Sequence, residues 1–434
     1  MKNRKTLIFL SLITIILVWI SANINWGDDN PKWIVLADGK GYYAYLPAIF
    51  IYQDLNYGFF EEKEMNTLSD PKLFYDYRAY SNNHAHNKYF CGTALLQTPF
   101  FLAAHLLATI SGGQNDGYAP IYFIFIQIAT IFYFILGLWF LSKLLFLYKY
   151  KQSTVILTLL VLAFGTNSFY YVIREAGMSH IYSFALIAAF LYYARKFFSD
   201  YRPGLIIALS VVLGLTILVR PVNGIIVFAL FFVSPAWSDL KKGVLTLFHY
   251  PWYLLSSVAL FAAIVCIQPI IYKISTGSFF INSYGKENFD FFQPHLFSFL
   301  FSYKKGAFLY TPVLLLSLTG LYFFWKTARY NFYGLLFFLL MVFYVLSSWW
   351  NWWYGGSFSS RVLIDFMPVF MLSLAMAIDS FRNKAVKGVF IGIIAVLVAV
   401  NQIQTYQYRY GAIHYEQMTK QLYWENFLRI DKLL

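Results

Sequence analysis

The chain has 434 residues, of which 59% are hydrophobic and only 12% charged, and its mean hydropathy is +0.57. No soluble domain needs such a balance to bury one core, so the composition places the chain in a membrane. Its formal charge of +13 would direct a soluble protein toward nucleic acid, but the basic residues of a polytopic protein collect first in its cytosolic loops, which argues against that class.

The amino terminus is basic from Met1 to Lys5 and apolar from Leu7 to Ala22. No small-residue cleavage site follows, and Asn23-Ile24-Asn25-Trp26 reads as an exit through the interface, so residues 7–23 are predicted to be a retained first span with a cytosolic start. Residues 24–118 form a first outer loop too long for a structural connection and too rich in Tyr and apolar residues for disorder. Within it, Ala37-Asp38-Gly39-Lys40-Gly41-Tyr42-Tyr43-Ala44-Tyr45-Leu46-Pro47 places an acid on a Gly-flexed turn before a short aromatic helix suited to the membrane surface. From these residues alone, a solvated or helix-capping Asp is the simpler reading.

Further on, His84-Ala85-His86-Asn87-Lys88 offers two imidazoles and an ammonium. Without a paired carboxylate or thiolate the histidines read as solvated loop residues, whereas Lys88 is well placed for a lipid phosphate. The segment from Thr93 to Ile110 is apolar but interrupted by Gln97, Pro99 and His105, as suits a helix lying in the interface. Later spans are predicted at 119–142, 153–172, 178–198, 251–272, 308–325, 331–349, 362–380 and 388–406. The stretch 204–236 splits into two short spans around Arg220-Pro221-Val222-Asn223, for eleven in all.

If the segment from Thr93 to Ile110 does not cross, the later loops hold thirteen Lys and Arg inside (Lys143 to Lys387) against seven outside (Arg174 to Arg361); if it crosses, the numbers reverse. The positive-inside rule therefore favours a non-spanning segment. A second outer loop covers 273–306 and a polar outer tail covers 407–434. No fixed-period repeat or linker divides the chain, so 1–434 reads as one membrane domain. Cys91 and Cys266 support neither a disulfide framework nor a thiolate metal site.

On this topology the unusual polar groups fall together: Asp38, Lys88, Arg174, Glu175, His180, Arg220, Asn223, Arg361 and Asp365 lie at the outer ends of spans or in the first outer loop. Charge beside hydrocarbon is costly and tends to be paired or functional, so the cluster points to a polar pocket at the outer interface. Arg220 and Arg361 are the other phosphate candidates; the plainer alternatives are snorkelling for Arg220 and an intrahelical pair with Asp365 for Arg361. Mutual neutralisation is the simpler reading of Arg174, Glu175 and His180. The Trp cluster ending at Trp353 reads as an interface belt, although indoles also stack on sugars.

Together with Leu218-Val219-Arg220-Pro221, Lys305-Gly306-Ala307-Phe308-Leu309-Tyr310-Thr311-Pro312 and Tyr354-Gly355-Gly356 running to Arg361, these motifs resemble bacterial members of the GT-C superfamily. The resemblance is to membrane glycosyltransferases related to protein O-mannosyltransferases and aminoarabinose transferases (glycosyltransferase family 39). It implies an all-α polytopic fold, a GT-C-like bundle of about eleven transmembrane helices with juxtamembrane helices in the long first outer loop.

It also implies a site. Asp38 matches the family's loop acid, which acts as base or binds metal, and Lys88 resembles the lysine of the Asn-Lys-Pro-Pro motif, although Tyr89-Phe90 replace its prolines here. The implied activity is inverting sugar transfer from a polyprenyl-phosphate donor to an envelope lipid, glycan or protein. The implied place is the outer face of a bacterial inner membrane. Asp38 would be catalytic, Lys88, Arg220 and Arg361 would bind the donor phosphate, and Tyr42, Tyr45, Glu175, His180, Asn223 and Trp353 would complete the pocket. No cofactor is assigned, and a divalent metal stays open. The rival classes are a lipid or sugar transporter or flippase, and a non-catalytic envelope-assembly protein; a transporter would place its charges near the midplane, often with inverted repeats.

Overall fold

The computed structural model describes residues 2–27, 30–65 and 74–431; the remaining parts of the expected first outer loop and the end of the expected tail lie outside the described residues. Hydrocarbon offers no water to satisfy amides, so apolar runs of this length fold as helices that pair their backbone groups internally. Helix α1 (Lys2–Asn25) leads into the first loop. That loop holds α2 (Asp38–Phe50), an antiparallel hairpin of β1 (Arg78–Ser81) and β2 (His84–Asn87), and α3 (Gly92–Ile110).

The bundle continues with α4 (Pro120–Leu147), α5 (Gln152–Phe164), α6 (Ser168–Ile173), α7 (His180–Asp200) and α8 (Gly204–Val219). A 3-10 helix (Pro221–Ala229) precedes α9 (Leu230–Val233), α10 (Trp237–His249), α11 (Pro251–Val265) and α12 (Ile267–Thr276). The second loop carries α13 (Leu296–Phe301) and leads to α14 (Ala307–Tyr310), α15 (Val313–Ser317) and α16 (Thr319–Thr327). Then come α17 (Arg329–Ser347), a 3-10 turn (Arg361–Ile364), α18 (Met367–Ser380), α19 (Lys384–Arg409) and α20 (Lys420–Asn426).

Among the described residues, seven helices are long and apolar enough to cross a membrane, and four shorter apolar helices accompany them. Each expected span falls on one of these helices or on the leg formed by the 3-10 helix and α9, so the all-α polytopic fold is as the sequence predicts. Helix α3 also passes the length and hydropathy test. Its contacts run along the first half of α4: Leu96 O accepts from the Tyr133 hydroxyl at 3.0 Å, and His105 Nδ1 meets the Tyr122 hydroxyl at 2.7 Å. The two helices are therefore antiparallel over that stretch.

Lipid tails are as apolar as Leu, so helices in a bilayer hold together by close packing and by polar contacts rather than by hydrophobic burial. Gln127 of α4 shows this. Its Nε2 donates to Ile173 O at 2.8 Å and to Ser21 Oγ at 3.0 Å, while its Oε1 accepts from Asn25 Nδ2 and Trp26 Nε1, both at 3.1 Å. One buried amide thus fastens α1, α4 and α6 at the end of the bundle where the polar residues gather.

The break at Arg220 follows from its neighbour. Proline disfavours helical backbone in the residue before it, and Arg220 is extended (φ −151°, ψ 109°). The 3-10 helix then turns back beside α8, bringing Gly224 against Ile217, so the two short legs meet in the expected tight turn with Arg220 at its tip.

Candidate active site

Asp38 opens α2 after Ala37, whose backbone has φ 44° and ψ −125°. That conformation is strained for a residue with a Cβ, and such strain gathers at functional sites. The adjacent glycines provide room instead of the expected flexed turn. A Cβ on Gly41 would lie 2.1 Å from the Tyr89 ring; its absence lets that ring cross α2 and reach the acid.

Three side chains donate to the Asp38 carboxylate. Arg361 Nη2 donates to Oδ2 at 2.5 Å, and Tyr89 and Tyr75 donate their hydroxyls to Oδ1 at 2.8 and 3.2 Å. Burial pushes this carboxyl up, but the Arg361 guanidinium, the two phenols and the Lys88 charge outweigh it and hold it below its ordinary value of 3.8. The N-terminal turn of α2 adds a favourable dipole. The helix-capping alternative is not adopted, because Ala37 occupies the cap position and no side chain caps the helix.

A second buried cluster centres on Asp365. His180 Nδ1 lies 2.8 Å from Oδ1, while Oδ2 accepts from Asn223 Nδ2 at 2.7 Å and forms an ion pair with Arg220 Nε at 3.4 Å. Arg361 does not take Asp365 as its intrahelical partner: residues 361–364 form a 3-10 turn, in which positions four apart no longer share a face. Nor do Arg174, Glu175 and His180 neutralise one another. Arg174 donates to Asn25 Oδ1 at 2.8 Å, His180 turns to Asp365, and burial pushes the Glu175 carboxyl up to about 7 against the opposing charge of Arg361.

Asp365 is 1% exposed and Arg220 17%, so deleting the acid strands a buried cation. Asp365→Ala should cost about 3–5 kcal/mol, read as a lowered unfolding midpoint in detergent. Asp365→Asn, which retains hydrogen-bonding groups, should cost less.

Asp38, Tyr42, Lys88, Arg220 and Arg361 all line one cavity of about 710 Å³. Tyr75, Tyr89, Tyr284, Trp349 and Trp350 supply much of its aromatic wall. The second loop closes it through Glu287, which pairs with Lys88 at 2.5 Å. His180 meets Arg220 Nη1 at 3.2 Å, and Asn223 joins the same cluster through Asp365. Tyr45 is buried behind the wall, donating to Tyr89 O at 2.6 Å. Trp353 carries Lys304 Nζ 3.5 Å above its ring, leaving Trp349 and Trp350 as the indoles at the cavity.

Sequence reasoning missed Tyr75, Tyr284 and Glu287, ordinary loop residues that only folding brings here, and read Asp365 chiefly as a partner for Arg361. The histidines stay apart from the site: His84 is exposed, and His86 is buried edge-on to Tyr272. Among the described residues, no three His, Cys, Asp or Glu side chains converge to hold a metal. Around Asp38 the donor set is a guanidinium and two phenols, which does not suit a divalent cation.

No family model and no curated protein sequence matches the chain. Among solved structures, it resembles the oligosaccharyltransferase AglB from Archaeoglobus fulgidus in complex with an inhibitory peptide and a dolichol-phosphate. The TM-score is 0.50 at 12% identity, over 98% of this chain and 57% of that one. A structure of the A. fulgidus oligosaccharyltransferase with Zn and sulfate gives a TM-score of 0.47 at 12% identity, over 96% and 54%. This chain thus spans little more than half the length of those proteins. At 12% identity the likeness to AglB is one of fold alone.

Proposed function

We propose that the protein is a membrane glycosyltransferase that moves a sugar from a polyprenyl-phosphate donor to an envelope lipid, glycan or protein. Its place would be the outer face of a bacterial inner membrane. The observation that carries this reading is a carboxylate kept ionised by Arg361, on the wall of a cavity that Lys88 and Arg220 also line.

In the proposed step, Asp38 takes the proton of an acceptor hydroxyl or amine as that atom attacks the anomeric carbon. The bond from this carbon to the phosphate oxygen breaks, the configuration inverts, and polyprenyl phosphate leaves with the bonding electrons. Arg220, Lys88 and Arg361 offset the charge growing on the leaving group, which matters most in a water-poor cavity. A donor phosphate at Lys88 competes with Glu287, the ion's partner in the closed loop.

The test is transfer of radiolabelled sugar from lipid-linked donors by the purified protein in proteoliposomes. Sugar transfer with release of polyprenyl phosphate supports an enzyme. Movement of intact donor across the bilayer marks a transporter, and neither outcome marks a scaffold.

The proposed orientation rests on the charge count and on the course of α3 along the first half of α4. Reporter fusions at Tyr148 and at Leu434, which lies outside the described residues, should report cytosol and exterior. The opposite pair would overturn the sidedness of the site.

A further inference from the structure

A second cavity, of about 320 Å³, lies between α7, α8, α10 and α11, with Phe198, Leu209, Leu213, Leu247 and Val258 among its lining. It is remote from the polar site: at 1.5 Å per residue, Phe198 sits roughly 27 Å along α7 from His180.

Three observations give this cavity the character of a lipid site. Helix α10 follows the preceding leg at a bend of 120°. It exposes Trp237, Leu245 and Phe248 while Leu240, Gly243 and Leu247 face the cavity, as a helix lying in the membrane interface does. The same helix carries two exposed lysines, Lys241 and Lys242, against one acid, Asp239, which accepts from the Tyr201 hydroxyl at 2.7 Å, so the helix beside the cavity is net positive.

The third observation is Ser257. It lines the cavity and is 3% exposed, yet its hydroxyl has no hydrogen-bond partner among the described residues. A helical serine commonly bonds back to the carbonyl one turn earlier, and this one does not. Ser257 stands six residues into α11, roughly 9 Å from the helix start, a depth near the edge of the hydrocarbon core.

We propose that this cavity binds an acyl chain of an anionic glycerophospholipid, with Ser257 donating to the chain's ester carbonyl and Lys241 and Lys242 beside the headgroup phosphate. Apolar lining takes the chain, the unsatisfied hydroxyl takes the one polar group at that depth, and the lysines select the charge.

The test titrates the full chain in mild detergent with phosphatidylglycerol or phosphatidylcholine, counts bound lipid by native mass spectrometry, and maps adducts of an acyl-chain diazirine phosphatidylglycerol. Adducts should concentrate on α10 and on α11 around Ser257, and phosphatidylglycerol should bind more tightly than phosphatidylcholine. Lys241→Gln and Lys242→Gln should each reduce that preference roughly fivefold without touching the core. Ser257→Ala should weaken both lipids, and Leu209→Trp should abolish the adducts by filling the cavity.

Adducts spread evenly over the lipid-facing helices would overturn the proposal. So would a lysine double variant with unchanged preference, which needs no core substitution to fold. Displacement of the adducts by polyprenyl phosphate at equal concentration would assign the cavity to a donor tail instead.

Discussion

Replacing Asp38 by Asn should lower sugar transfer by about 10²–10⁴-fold, the range for losing general-base catalysis, while donor affinity barely changes. The amide retains the volume and can still meet Tyr75 and Tyr89, but it cannot accept a proton. Asp38→Glu should recover little, because one methylene moves the carboxylate farther than a positioned base tolerates. The pH profile supplies a second readout. Arg361, the phenols and Lys88 together overcome burial and hold this carboxyl below its ordinary value of 3.8; since the ionised form is the active one, transfer should persist on acidification until below that value. Initial rates in proteoliposomes measure both effects. Transfer by Asp38→Asn at close to the parent rate would move the base elsewhere, with Glu175 next to test. Asp54 is a weaker alternative, because its carboxylate is spent on the backbone N–H groups of Asn56 and Gly58 at 2.8 and 2.6 Å.

The membrane bundle is legible because crossing a bilayer imposes long apolar runs with punctuated ends, and Arg220-Pro221 announces its own turn by the backbone rule for residues before proline. Helix α3 is the limit of that method, since its hydropathy matches that of the spans and only its contacts with Tyr122 and Tyr133 describe its course. In the site, the residue types and their common end could be read from charges placed beside hydrocarbon. Their pairing could not. Arg361 lies 323 positions from Asp38, and the one local alternative to its phosphate role, an i+4 pair with Asp365, is removed by the 3-10 geometry of 361–364. Glu287 and Tyr75 carry no pattern of their own, and their importance arises only from where the second loop and the hairpin come to rest.

Replacing Arg361 by Ala should lower transfer by about 10²–10³-fold, the scale of losing one preorganised donor to a developing negative charge, and should also move the acid limb of the pH profile upward. The second effect follows from the ion pair. Without the guanidinium at 2.5 Å, burial acts on Asp38 with only the phenols and Lys88 against it, so its carboxyl titrates higher and the active, ionised form is lost at a higher pH than in the parent. Arg361→Lys keeps the charge but not the planar fork, so it should restore most of the acid limb and only part of the rate. Arg220→Ala serves as the contrast. Its guanidinium belongs to the Asp365 cluster, so it should weaken donor binding without shifting the limb, and pairing it with Asp365→Asn avoids stranding a buried carboxylate. An unshifted limb in Arg361→Ala would mean that the phenols and Lys88 suffice to keep Asp38 ionised. If the rate were unchanged as well, Arg361 would belong to the architecture of the loop and not to the reaction.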